Sequence, residues 1–192
     1  MKTDVHTRRP RSVVLAAVLQ LLTAVPFVLG TYVVLAHGAR AQAAAEAEVA
    51  RQGLPPSLLD QHGVSFGNST SELPFAVAIV LILASLALLN LNGKRLGRTL
   101  SWIFQPILFV AGAVIVPGQV FVAPLLESAF KSSGDPALAR IDVVSLVDST
   151  TQVMPGWLHH AAVAKLALTT LGSVLVVALL ALPSARAHFR GR

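Results

Sequence analysis

VVLAAVLQLLTAVPFVLGTYVVLA, residues 13–36, carries no charged side chain from end to end. A helix rises about 1.5 Å per residue and the hydrocarbon core of a bilayer is about 30 Å thick, so roughly 20 such residues cross it. Three further runs meet the same requirement: Pro74 to Leu91, Ser101 to Ala123 and Ala161 to Leu182. None of the four holds an acid, and only the last holds a base, Lys165. Backbone groups find no water in lipid, so runs of this length read as helices, and the alternation expected of an outer-membrane strand is absent. The expected fold is all-α, a four-transmembrane-helix bundle with two extracytoplasmic loops containing short helices, in one membrane domain over residues 1–192.

Charge orients these spans, because lysine and arginine are retained on the cytoplasmic side. Lys2, Arg8, Arg9 and Arg11 lie in the tail 1–12, Lys94, Arg95 and Arg98 in the connection 92–100, and Arg186, Arg190 and Arg192 in the tail 183–192. In a four-pass chain these three segments share one side. Loops 37–73 and 124–160 hold only Arg40, Arg51, Lys131 and Arg140 against every acid except Asp4. Both termini are therefore expected in the cytoplasm and both loops outside the cell membrane. Arg8, Arg9, Arg11, Lys94, Arg95 and Arg98 then serve topology or contact anionic lipid headgroups. A basic start before an apolar run also fits a signal peptide, but this run is too long for one and the Ala-rich stretch beyond it reads as helix.

Composition agrees. Over 192 residues the chain is 54% hydrophobic and 12% charged, where soluble domains carry about a quarter charged residues. The absence of cysteine removes disulfides, thiolate metal sites and thiol redox chemistry. A pI near 10.8 would suit nucleic acid, yet the bases form short clusters beside apolar runs and no aromatic-laced basic surface. Nucleic acid is not an expected partner; the bilayer is, together with a second membrane protein or another copy of this chain.

In the first loop, Ala39 to Gln52 has strong helix propensity and is expected to prolong the first span or lie along the membrane surface until Gly53 and Pro55-Pro56 end it. Ser57 to Gln61 suits a short turn. Asn68-Ser69-Thr70 matches a glycosylation sequon that we read as chance. In the second loop, Asp135-Pro136 predicts an N-cap and first helical residue opening a helix to about Asp148. Pro155-Gly156 ends it, and Trp157 suits an interfacial anchor. Pro26, Pro106 and Pro117 predict kinks. The two halves match in loop length and in the placing of Pro26 and Pro117, as a parallel duplication would.

Polar residues inside spans are the functional candidates. Lys165, Thr169 and Ser173 fall on one helical face, as a stripe lining a cavity or packing on a neighbour, with Lys165 also placed to snorkel outward. Gln20, Thr23, Gly30 and Thr31 in the first span, and Gln105, Gly112, Gly118 and Gln119 in the third, offer hydrogen bonds or close approach across the interior. Spans without an acid lack the usual parts of a proton relay or cation-coupled carrier. His37, His62, His159 and His160 lie near Asp60 and Asp148, but no metal-ligand spacing occurs, and no cofactor is expected. Gly93-Lys94 is not a P-loop, and no nucleophile elbow is present.

The Ala/Val/Leu/Arg vocabulary of AQAAAEAEVARQG and VLVVALLALPSARAHFRGR resembles small tetraspan membrane proteins of high-GC actinobacteria. The resemblance covers the whole chain without a diagnostic motif, so it implies topology and no site residues. The layout is similar to claudins and tetraspanins as well, without their loop cysteines. The expected function is a non-enzymatic accessory or scaffold protein that binds another membrane protein through its helices and outer loops. A small transporter, channel subunit or lipid-binding protein is the alternative, and an enzyme using the outer histidines and aspartates the weakest reading.

Overall fold

The computed structural model describes residues 9–67 and 73–190. Arg8 and the Asn68-Ser69-Thr70 sequon lie outside the described residues. Every regular element among them is a helix, without a strand, and four helices are long and apolar enough to cross a membrane. They begin with α1, Arg11–Arg51, and α3, Leu73–Leu91. The third comprises α4, Arg95–Ile115, and α5, Pro117–Val120. The fourth runs through α8, Leu158–Ala167, a π-helical turn, Leu168–Gly172, and α9, Ser173–Ala181.

At 41 residues, α1 is about 60 Å long, twice the thickness of a hydrocarbon core. The apolar run and the Ala/Glu-rich stretch are thus one helix, since Ala, Glu, Gln and Arg favour helix and no proline follows Pro26 before the helix ends just ahead of Gly53, where φ is +76°. The helix passes through Pro26 without interruption. Its first half packs along α3 and α9, α3 packs on α4, and α4 packs on α9 and the π turn.

Around the second half of α1 the loops fold into a head. α2, Ser57–Gln61, α6, Val122–Ser132, a 3-10 turn, Leu138–Arg140, and α7, Val143–Thr151, enclose Ala45, Val49, Leu59, Phe130, Leu138 and Leu146. Gln52 joins the two loops by a reciprocal pair. Its Nε2 donates to the Asp142 carbonyl (3.2 Å) and its Oε1 accepts from the Asp142 N–H (2.8 Å). At Gly38 the backbone of the first loop passes directly over α1; a Cβ there would lie 2.7 Å from the Gly67 carbonyl carbon.

Three sequence expectations change. The run Ser101 to Ala123 is not one helix: helix begins at Arg95, and after Ile115 the chain passes through α5, Phe121 (φ −111°, ψ 51°) and α6. Pro117, which cannot donate a backbone bond, opens α5. The helix expected from Asp135 to Asp148 starts later. The Asp135 carboxylate meets a single backbone donor, the Ala137 N–H (2.7 Å), and turns its other oxygen to His62, Ile141 turns extended, and Asp142 is the working N-cap, its Oδ1 accepting from the N–H groups of Val144 (3.1 Å) and Ser145 (3.2 Å). The tail 183–192 contains a helix, α10, Pro183–Arg190, which folds back so that Ala185 and Phe189 pack with Val13, Ala16, Val176 and Leu180.

Candidate functional site

Along the four long helices, polarity is inverted relative to a soluble protein. Leu21, Val25, Val28, Leu81, Ile103, Val110 and Leu171 face outward, while Gln20, Thr23, Asn90, Ser101, Gln105, Thr169 and Ser173 are buried. Water would penalise this arrangement on both counts, whereas lipid favours it.

One fully buried polar contact joins three helices. Gln20 Nε2 of α1 donates to Ser101 Oγ of α4 (3.0 Å), and Asn90 Nδ2 of α3 donates to the same oxygen (2.9 Å) and to Gln20 Oε1 (3.1 Å). All three residues are fully buried, and Asn90 Oδ1 has no partner among the described residues. A polar side chain in lipid finds its bonds only in other helices, so this knot fixes the rotation of α1, α3 and α4 about one another.

Farther along, the stripe lies at the π turn. Thr169 Oγ1 donates to the Lys165 carbonyl (2.7 Å) and Thr170 Oγ1 to the Leu166 carbonyl (2.6 Å), supplying bonds where the helical ladder is widened. Thr169 presses on α4 at Gly112, where an added Cβ would sit 2.6 Å from Thr169 Cβ. Ser173 is buried and its Oγ has no partner among the described residues. Thr23 donates back to the Leu19 carbonyl (2.7 Å). Lys165 is half-buried: its Nζ donates to Gln119 Oε1 (3.0 Å) and lies 4.5 Å from the Phe27 ring centroid, so a π face and an amide carbonyl both meet the ammonium.

The structure brings together Gln20 with two partners, Thr169 with Gly112, and Lys165 with Gln119. Gln119 does so on the exposed surface of α5, not in the interior. At Gly30 and Gly118 a Cβ would meet nothing within 4 Å. Gln105 is buried on α4. Asn90 and Ser101 were missed by the sequence reading. Both are polar residues at the edges of expected spans, and that position was their signal.

In the head, the Glu48 carboxylate accepts from Arg51 Nε (2.7 Å) and Nη2 (2.6 Å) and from Gln52 Nε2 (2.8 Å). The Arg51 bonds, then the Gln52 bond, hold the Glu48 carboxyl below its ordinary range, and Glu48 in return raises the Arg51 guanidinium. Asp142 is lowered as well, first by the Ser145 hydroxyl and then by the capped N–H groups. The four histidines of the two loops form no common cluster. His62 Nδ1 lies 3.0 Å from the Leu58 carbonyl and its Nε2 3.1 Å from Asp135 Oδ2. His37 Nδ1 lies near the Val153 carbonyl and Arg40, and His159 and His160 meet edge to face. No three His, Asp or Glu side chains among the described residues converge on a metal position.

At the opposite end of α1 from the head, Arg9, Arg11, Lys94 and Arg95 are exposed and Arg98 is half-buried. No known protein family, curated protein or solved structure matches the chain.

Proposed function

We propose that the protein is a multi-pass protein of the cell membrane, a four-helix bundle with its basic end and both termini in the cytoplasm and the α1-mounted head outside. Its role is that of a non-enzymatic accessory or scaffold protein that binds another membrane protein through the head and its helix faces. The observation carrying this reading is the pair of interiors strung on one helix. An apolar core in the head suits water, an interior of mixed apolar and polar side chains between apolar outer faces suits lipid, and unbroken α1 ties the two together. A fixed platform held at a set height above the bilayer is what docking a neighbour requires. The alternative of a small transporter, channel subunit or lipid-binding protein is less well supported, because the stripe it would use meets Gly112 in close helix packing.

In-membrane crosslinking followed by co-purification from native membranes tests the reading. A reproducible membrane-protein partner crosslinked through head residues is expected. A strictly monomeric protein without partners would overturn it.

A further inference from the structure

We infer that the basic end holds a fixed binding site for the phosphate of an anionic glycerophospholipid, assembled by α10. The inference rests on the membrane reading above. Three stretches distant in sequence meet there. Ser12 and Ser184 hydroxyls are 3.1 Å apart, which sets Arg11 beside the start of α10. Arg95 Nε donates to the Phe189 carbonyl (3.1 Å), and the Arg98 guanidinium carbon lies 5.4 Å from the Trp102 ring and 6.0 Å from the Phe189 ring. Phe189 is buried, whereas Arg186 and Arg190 on the same helix are exposed. The apolar face of α10 is thus spent on the ends of α1 and α9 and does not insert into lipid. Its arginines flank Phe189, whose carbonyl meets Arg95 and whose ring meets Arg98.

Retention of positive charge on one side of a membrane explains the composition of these segments but not this arrangement. A guanidinium stacked on aromatic faces has lost most of its rotational freedom, and its edge N–H groups match two oxygens of one phosphate. No carboxylate occurs in residues 9–45, 73–126 or 149–190, so among the described residues no acid at this end competes for those donors. The occupant is lipid because the cations stand where the apolar helices end, with Trp102 exposed beside them, at the depth of headgroups.

The test is native mass spectrometry of the full chain in mild detergent, offered equal amounts of phosphatidylglycerol and phosphatidylcholine with identical acyl chains. The wild type should retain phosphatidylglycerol about tenfold over phosphatidylcholine, a preference of about 1.4 kcal/mol. Arg98→Ala and the pair Arg186→Ala/Arg190→Ala should bring that ratio near one. Arg98→Lys, which keeps the charge and loses the planar fork, should lose most of the preference. A wild-type ratio near one overturns the site, and so does a full preference in Arg98→Lys, since charge alone would then suffice. Release of the protein from membranes by alkaline carbonate would instead overturn the membrane reading, independently of any lipid ratio.

Discussion

Ser101 accepts two hydrogen bonds with one oxygen, and that makes it the residue on which the three-helix knot depends. Ser101→Ala strands the amide donors of Gln20 and Asn90 where no water reaches them. We expect a loss of about 1–2 kcal/mol in a steric-trap unfolding measurement. Gly112 is sensitive for a steric reason. Gly112→Ala drives a methyl into Thr169 and should cost about 1–3 kcal/mol in the same assay. Gly118→Ala, whose methyl meets nothing within 4 Å, should stay within about 0.5 kcal/mol. If the two alanines behave alike, α4 does not depend on close approach to the π turn. A single sequence shows that Gln20 and Thr169 are polar and inside apolar runs, but not that Asn90 and Ser101 share a partner or that Gly112 faces a threonine. Such pairings depend on how far each helix rotates and slides, which no one helix encodes.

Among the elements, α7 shows how a local contest is decided. Asp135 before Pro136 is a sound helix start by its own chemistry, yet Asp142 takes the cap because its backbone is already tied to Gln52, the residue that ends α1. Asp142→Ala should therefore destabilise the head by about 1 kcal/mol, read from melting in nanodiscs with a fluorophore on a cysteine introduced at Ser128. The same readout tests the acid sensitivity of the head. Glu48 and Asp142 are both held below their ordinary values of 4.5 and 3.8. A carboxyl lowered in the folded state contributes stability that is present above its unfolded value and lost as pH falls through the folded one. The head should hold its melting temperature from pH 7 down to about 4.5 and lose it progressively below that. Glu48→Gln should flatten the decline, and an unchanged acid profile would show that Glu48 has no part in it. That residues 39–52 are helical was legible from propensity, but not whether they prolong the first span or lie along the membrane surface, and α10 was not legible at all. PSARAHFR is short and basic, and only contact with Val13, Ala16 and Leu180 gives its Phe189 a place to bury.

Across the whole molecule, the two halves of the chain diverge beyond their first spans. The first continues as one unbroken helix into the head, and the second breaks at Pro117 and Phe121 and packs α7 against that helix. The duplication suggested by loop length does not extend to these elements. Orientation can be tested directly because the chain has no cysteine. In intact cells, a membrane-impermeant maleimide should label Ser128→Cys on the head and leave Ala187→Cys on α10 unlabelled until the membrane is opened. The reverse pattern would invert the topology.

The sequence by itself determined the class of structure: four runs long and apolar enough to cross a membrane, an all-helical chain, the helical extension of the first span, and the sorting of bases and acids to alternate segments. Those features come from hydropathy, propensity and charge summed over a segment, and such sums survive without knowledge of neighbours. Tertiary structure alone decided that the loops share an apolar core around α1, that Gln20, Asn90 and Ser101 form one knot, and that α10 gathers the arginines of three distant stretches. Each is a match between surfaces far apart in the chain, set by packing and by hydrogen bonds that must close inside the fold.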